Sequence, residues 1–188
     1  TAHSVTIENN VFNGPGTDSR QGILVDDVSN DITVTISDNE FSSYAEAVQY
    51  DDGDDEDATF TVEVIRNSIT DNSVGIDLAD GDQAADANDA DTFVIHFNDI
   101  VNNSEDGVNA QLTDNEISSN GISILANWFG DGSGPSGDFS GDGDAITSSN
   151  DDDTVVTPWL TDSVNTLPTD QYVVVTDPVS PIGDNDDD

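Results

Sequence analysis

The chain has 188 residues, of which 41 are Asp or Glu and only 2 are Arg or Lys, so its formal net charge is −39 at pH 7. Nucleic-acid binding requires clustered cations that displace counterions from phosphates, and Arg20 and Arg66 alone cannot form such a cluster. An anionic membrane surface is excluded for the same reason. No cysteine is present, which excludes disulfides and thiolate metal sites. We therefore expect neither a nucleic-acid partner nor membrane insertion by this segment.

The acidic residues are mostly Asp, with only 7 Glu, and Lys is absent. This composition resembles the bias of proteins from extreme halophiles. At molar salt the Debye length is about 3 Å, so the self-repulsion of such a chain is largely screened. The composition predicts a salt-adapted protein. A dedicated polycation-binding surface is the alternative explanation of the charge.

Along the chain, five segments repeat one pattern: an apolar-x-apolar stretch, then Asn-x-Phe or Asn-x-Ile, then a small residue followed by an aliphatic one. The anchoring asparagines are Asn10, Asn39, Asn67, Asn98 and Asn115, at spacings of 29, 28, 31 and 17 residues. A unit of this size cannot bury its own apolar face, whereas stacked units bury a continuous core. The repeats predict an all-β fold, a right-handed parallel β-helix of about five coils over residues 1–126.

Each strand is expected to pair with its equivalent one coil away, so that the inward side chains form three columns. The first column is Ile7, Ile36, Val64 and Ile95, the second is Phe12, Phe41, Ile69, Ile100 and Ile117, and the third is Ile23, Val48, Ile76, Val108 and Ile122. The recurrent Asn is expected at the bend between two strands. It tolerates left-handed backbone geometry, and its amide can bond the Asn of the next coil to form a structural ladder.

Residues 127–160 depart from the repeat and contain Asn127-Trp128-Phe129-Gly130, Ser133-Gly134-Pro135, a Gly- and Asp-rich stretch over 141–146, and Pro158-Trp159-Leu160. This combination resembles the terminal module of secreted right-handed β-helix surface proteins of the pectin-lyase-like superfamily, with Phe129 where those proteins have a second Trp. Together with the salt-adapted composition, the resemblance implies that the chain is the C-terminal portion of such a protein from a halophilic archaeon or its virus. Its expected location is outside the cell, in the cell envelope or on the virion surface.

A terminal coil exposes both apolar core and unpaired strand edges, so it needs a cover. We expect Trp128, Phe129 and Trp159 to form this aromatic cap, and stacking on sugar rings is the alternative role for them. Residues 161–188 are acidic and contain prolines, which predicts a tail or linker. The sequon Asn102-Asn103-Ser104 makes Asn102 a candidate glycosylation site, although such matches also occur by chance.

Two acidic stretches are candidates for calcium, the one cofactor that the sequence suggests. The first is Asp138, Ser140, Asp142 and Asp144, whose spacing follows the first half of an EF-hand loop, although Ser149 stands where a bidentate Glu is expected. The second is Asp51, Asp52, Asp54 and Asp55 in an acidic insertion. Hydrated sodium or potassium ions around a solvated acidic loop are the alternative for both.

The pectin-lyase-like superfamily also contains polysaccharide lyases and glycoside hydrolases, so the resemblance raises the question of catalysis. Arg20, Arg66 and His96 lie in no recognisable motif of those enzymes, and we assign no catalytic residue. We predict a non-catalytic stalk, spacer or adhesion scaffold. Its expected partners are other envelope proteins, glycans, or copies of itself through coil ends. The alternative is a carbohydrate-active β-helix domain whose catalytic residues lie largely outside this segment.

Overall fold

The structure is a computed structural model and describes residues 3–17, 20–26, 31–51, 60–78, 91–111, 117–148 and 154–164. These residues form β-strands, turns and bends, without a helix. Within the same ranges, nothing helical is long and apolar enough to cross a membrane. The predicted all-β, parallel, coiled architecture is confirmed: the chain is a parallel β-solenoid.

Three strands make up each of the first four turns of the solenoid. The first turn contains β1 (His3–Glu8), β2 (Val11–Asn13) and β3 (Gln21–Asp26), and the second contains β4 (Ile32–Ser37), β5 (Glu40–Ser42) and β6 (Glu46–Asp51). The third turn contains β7 (Phe60–Ile65), β8 (Ser68–Thr70) and β9 (Val74–Asp77), and the fourth contains β10 (Asp91–His96), β11 (Asp99–Val101) and β12 (Asp106–Ala110). The later strands are β13 (Ile117–Leu125), β14 (Pro135–Gly137), β15 (Gly143–Ser148) and β16 (Thr154–Val155).

Equivalent strands of successive turns pair in parallel and build three sheets. Sheet A has the order β1-β4-β7-β10-β13-β16, sheet B has the order β2-β5-β8-β11, and sheet C has the order β3-β6-β9-β12-β15-β14. The first bend, between sheets A and B, lies where the chain leaves β1, β4, β7, β10 and β13. The second bend lies where it leaves sheet B.

The core consists of columns of apolar side chains, one from each turn, as the β-branched runs predict. The strand registers align Ile7 with Ile36, Val64, Ile95 and Ile124 in sheet A, Phe12 with Phe41, Ile69 and Ile100 in sheet B, and Ile23 with Val48, Ile76, Val108 and Ile146 in sheet C. Phe12 stacks on Phe41 with ring centroids 4.7 Å apart. Burial of these columns is the main driving force that holds the turns together.

The columns differ from the sequence prediction at the fifth repeat. Ile117 was expected in the second column, but it lies in sheet A, where its backbone is in register with Asp91. Ile122 was expected in the third column, but it pairs with Phe93 in sheet A. Both residues belong to the single nine-residue strand β13, so residues 117–125 supply one strand rather than a whole coil. The solenoid therefore has about four turns, where the repeats predict about five coils.

The segment after residue 126 is continuous with the solenoid. Strand β15 pairs with β12, β14 pairs with β15, and β16 pairs with β13, so sheets A and C extend into the segment that the sequence sets apart. The first residues of the predicted tail also contact the solenoid, since Ser163 Oγ and Val164 N both donate to the buried Asp99 carboxylate. Residues 165–188 lie outside the described ranges.

Candidate functional site

The first bend carries a ladder of asparagines that runs along the solenoid axis. In each rung, the backbone N–H and the Nδ2 group of one Asn donate to Oδ1 of the Asn one turn further along, at 2.8–2.9 Å and 2.9–3.2 Å respectively. The members are Asn10, Asn39, Asn67, Asn98 and Asn127. From the second member onward they are buried. We call this series the first ladder.

Each Asn from the second turn onward also ties its own turn to the main chain of the preceding one. The Nδ2 group of Asn67 donates to the Ile36 carbonyl at 2.9 Å, and the Nδ2 group of Asn98 donates to the Val64 carbonyl at 2.8 Å. Polar groups buried this deeply are costly unless they are paired. The amides of the first ladder therefore satisfy one another and also hold the spacing of the bend.

The fifth member of the first ladder is Asn127, which the sequence places instead in residues 127–160, here called the closing segment. Asn115, the predicted fifth member, lies outside the described residues, and the partner of Asn98 is Asn127. The spacing from Asn98 to Asn127 is 29 residues, close to the earlier spacings of 29, 28 and 31. This regular spacing was the sequence signal that could have identified Asn127.

The left-handed backbone geometry of the first bend belongs to the residue before each ladder Asn. These residues are Asn9, Asp38, Arg66, Phe97 and Ala126, with φ between 55° and 59°. The sequence pattern predicts this geometry at the Asn itself. The difference has a physical reason, because the left-handed residue makes the turn and the following Asn can then direct its amide along the axis to the next rung.

A second ladder, which the sequence analysis missed, lies at the second bend. Asn72 accepts from the backbone N–H of Tyr44 at 3.1 Å, and Asn72 in turn donates its N–H and Nδ2 to Oδ1 of Asn103 at 3.2 and 3.0 Å. Asn103 donates its N–H and Nδ2 to Oδ2 of Asp144 at 2.8 and 2.9 Å. We call this series the second ladder. Asn72 and Asn103 each follow a first-ladder Asn by five residues, and this spacing was the available signal.

Asp144 ends the second ladder with a carboxylate in place of an amide. Its Oδ1 atom accepts a further hydrogen bond from the backbone N–H of Asn102 at 3.0 Å. Burial raises the pKa of the Asp144 carboxyl group, and the hydrogen bonds from Asn103 and Asn102 oppose this increase. A partly buried carboxylate that accepts three hydrogen bonds therefore forms this end of the second ladder.

Asp144 also lines an open groove of about 320 Å³ between the second bend and the loops that follow β13. Other lining residues are Asn102, Glu105, Phe129 and Asp142. We call it the closing groove. Its walls are mainly polar and its charged side chains are acidic, which suits a cation or a hydroxylated ligand better than an anion.

The structure separates the residues of the EF-hand-like candidate. Asp138 accepts from the backbone N–H of Ser148 at 2.7 Å, whereas Asp144 accepts from Asn102 and Asn103, and Ser140 and Asp142 are exposed. In the described part of the chain, no three Asp, Glu or His side chains lie close enough together to hold a metal ion.

Of the second calcium candidate, Asp51 ends β6. Asp52, Asp54 and Asp55 lie outside the described residues.

Arg66 and His96 lie in neighbouring turns, where the Arg66 N–H donates to the His96 carbonyl at 3.2 Å, and their side chains have different partners. The guanidinium of Arg66 binds Asp38 of the preceding turn through two hydrogen bonds of 2.8 and 2.7 Å and lowers the pKa of that carboxyl group. His96 Nε2 lies 2.9 Å from Ser123 Oγ, and burial lowers the pKa of the imidazole. Arg20 is exposed.

The aromatic residues of the closing segment contact the core to different extents. Phe129 and Trp159 are buried members of the hydrophobic core, and Trp128 is half-buried. The backbone of Trp128 continues sheet B, since its N–H donates to the Asn98 carbonyl and its carbonyl accepts from Ile100. Asn102, the sequon residue, is exposed at the second bend.

Comparison with protein-family models, with curated proteins and with solved structures finds no match to this chain.

Proposed function

We propose that this chain is a non-catalytic scaffold module, a stalk, spacer or adhesion element built from stacked turns. The observation that supports this proposal best is the pair of amide ladders at the two bends. The first ladder includes Asn39, Asn67 and Asn98, which are nearly inaccessible to solvent and bonded to the turns on both sides. Such ladders fix the rise from one turn to the next, which is the property that a spacer requires.

The proposal includes salt adaptation and a location outside the cell, in the cell envelope of a halophile or on a virion. The net charge of −39 supports this part, because repulsion of that size is tolerable only when it is screened. Membership of the pectin-lyase-like superfamily and an archaeal or viral origin are also part of the proposal. They are supported by the sequence motifs of the closing segment.

We assign the closing segment the role of a cover for the last turn. Phe129 and Trp159 support this role through their burial in the core. Trp159 lies against Gly134, where an added Cβ atom would come within 2.5 Å of the indole ring.

Envelope proteins, glycans and copies of the chain are the proposed partners, and Asn102 is the proposed glycosylation site.

Calcium is proposed only for the acidic insertion that begins at Asp51, since the EF-hand-like residues Asp138 and Asp144 are engaged in different hydrogen bonds. A melting temperature that rises with millimolar calcium but not with magnesium, in molar NaCl, would support this site. Equal effects of the two ions would contradict it.

The closing groove supports a second candidate function, a carbohydrate-active domain. Asp144 is a carboxyl group with a raised pKa beside Glu105 and Asp142, and a general acid of a glycoside hydrolase needs such a group. The three hydrogen bonds that Asp144 already accepts favour a structural role instead.

Product release from polysaccharides distinguishes the two functions. The assay measures new reducing ends and unsaturated products from a panel of acidic and neutral polysaccharides, in molar salt, with and without calcium. The Asp144→Asn variant keeps a side-chain oxygen that can accept from Asn103 and removes the acid. The scaffold proposal predicts no turnover by folded protein, and turnover that Asp144→Asn abolishes would establish the enzyme.

A further inference from the structure

The end of the solenoid formed by the first turn is open. Strands β1, β2 and β3 each lie at the end of their sheet, all at the same end of the molecule. Within the described residues, no strand pairs with the outer edge of any of the three. We call this surface, formed by β1, β2 and β3, the open end.

The top layer of the core is uncovered at the open end. Val5 is 44% exposed, whereas Val34, its equivalent one turn along, is 5% exposed. Phe12 is half-buried, while Phe41 beneath it is 1% exposed. The columns of the core therefore continue to the surface here and end on apolar side chains.

The open end is also weakly charged for this chain. Residues 3–26 contain three acids, Glu8, Asp18 and Asp26, against Arg20, while the whole chain carries about one net negative charge for every five residues. Val11 and Leu24, which are 72% and 45% exposed, alternate with the core residues Phe12 and Ile23 and therefore lie on the outer faces of the sheets. An uncovered, weakly charged apolar core on an otherwise acidic protein is typical of an interaction site.

The hydrogen bonds of the first ladder all run in one direction along the solenoid, so they leave a specific acceptor at the open end. Every later Asn accepts at Oδ1 from the N–H and Nδ2 of the preceding turn, but Oδ1 of Asn10 accepts from no residue in the described part of the chain. Asn10 Nδ2 donates to Asn39 and to the Glu8 carbonyl, whereas Asn39 Nδ2 has the Ile7 carbonyl of the preceding turn as an acceptor. The Nδ2 group of Asn10 thus has an acceptor for each of its hydrogens, and the unused hydrogen-bonding atom of the first rung is Oδ1, which an incoming bend can supply with donors.

We propose that the open end docks one further parallel β-coil, whose bend carries an asparagine that donates its N–H and Nδ2 to Asn10 Oδ1. Its strands extend all three sheets, and its apolar side chains cover Val5 and Phe12. This inference rests on the proposed scaffold function, in which contacts are made through coil ends, and names the chemistry of the partner.

A second copy of the chain does not meet these requirements. Two copies that meet through their open ends would place one Asn10 Oδ1 acceptor opposite the other. In a head-to-tail arrangement, the bend of one copy at Asn127 would have to meet Asn10 of the next copy. The chain itself already lies against that bend, because the Leu160 N–H donates to the Asn127 carbonyl. The partner is therefore a coil with the direction and the Asn of the turns already present.

The test adds such a coil to the full chain. A duplicate of residues 3–31 placed directly before residue 3 sets the duplicated Asn 29 residues ahead of Asn10, the spacing that joins Asn10 to Asn39. The control carries Asn10→Ala in the duplicate only. Amide hydrogen exchange in molar salt is then measured for β1 to β3 of the original turn.

We expect the duplicate to slow exchange in β1 to β3 by about two- to tenfold, the range that one net hydrogen bond gives, and the control to lose much of this protection. Unchanged exchange in β1 to β3, with β4 to β12 still protected, would overturn the proposal. So would a dimer of the unmodified chain, seen by sedimentation, that protects the same strands. If the duplicated chain fails to fold, the separate 3–31 peptide is added to the unmodified chain and judged by the same two exchange outcomes.

Polysaccharide turnover would contradict the scaffold function and leave these exchange results unaffected. Unchanged amide exchange in β1 to β3 would contradict only the proposed docking of a coil, and not the scaffold function.

Discussion

Oδ1 of Asn98 accepts both the backbone N–H of Asn67, at 2.8 Å, and its Nδ2 group, at 3.1 Å, although the two residues are 31 positions apart in the chain. This pair is one unit of the first ladder. Because both residues are buried, neither can exchange its partner for water. The ladder therefore couples the conformation of each bend to that of its neighbours.

Asn67→Ala should lower the free energy of unfolding by about 1–3 kcal/mol, because the buried donors and acceptor that face Asn67 lose their partner. Asn10→Ala is the matched control at the exposed start of the same ladder, and it should have a smaller effect. Chemical denaturation in molar salt measures both. Equal losses for the two variants would contradict burial as the reason.

Position 66 isolates the requirement for left-handed backbone at the first bend. Arg66 has φ of 56°, and its side chain is 49% exposed in its ion pair with Asp38. Arg66→Asn and Arg66→Val both remove the ion pair, but only Asn tolerates this φ well. We expect Arg66→Val to be less stable than Arg66→Asn by about 1–2 kcal/mol. Equal stability of the two variants would show that the bend is not left-handed in solution.

Asp144 should make the stability of the protein depend on pH. Its folded-state pKa is raised above the ordinary value of 3.8, so its contribution is complete below pH 3.8 and is lost as the pH rises through the raised pKa. The parent should therefore lose stability as the pH rises from 3.8 toward neutral, and Asp144→Asn, which cannot ionise at this position, should lack this part of the pH dependence. Unfolding measured across this range tests the sign.

Asp142→Asn is the control for Asp144→Asn, since it removes one charge from an exposed residue of the same closing groove. If the two variants show the same pH dependence, the effect reports net charge and not the end of the second ladder.

Gly134→Ala tests the packing of the closing segment. Gly134 has φ of 93°, and a Cβ atom there would lie 2.5 Å from the ring of the buried Trp159. We expect a loss of about 2–3 kcal/mol from backbone strain and overpacking. Gly132→Ala is the control, because its nearest neighbour would be the Thr161 carbonyl oxygen at 3.5 Å. A melting temperature for Gly134→Ala no lower than that for Gly132→Ala would contradict the observed position of Trp159.

Much of the solenoid could be predicted because each turn repeats local information. The alternation of apolar residues around Ile36 and Val64, and the Asn at a spacing near 29, are present in every turn of the first four. The fifth repeat was misleading because Asn115-Glu116-Ile117 matches the motif, whereas the chain uses Asn127 at the regular spacing. A local motif does not show which of two asparagines completes a buried contact.

The second ladder was harder to predict, because its members are joined by different residue types. Tyr44 contributes only its backbone N–H, and Asp144 takes the place of an Asn. Asp144 also lies 41 residues from Asn103, outside the period of the repeat. The acidic residues at 138–144 were interpreted as metal ligands because carboxylate spacing alone does not distinguish a metal site from hydrogen bonds to the backbone.

The most direct test of the salt-adapted scaffold is a salt titration followed by circular dichroism. The β-sheet signal is measured as the salt concentration is lowered from molar to about 0.1 M. At molar salt the Debye length is about 3 Å, and at 0.1 M it is about 10 Å, so the repulsion among charges that sum to −39 grows sharply over this range. We predict that the sheet signal is complete in molar salt and collapses by 0.1 M. A full sheet signal at 0.1 M salt would contradict the account.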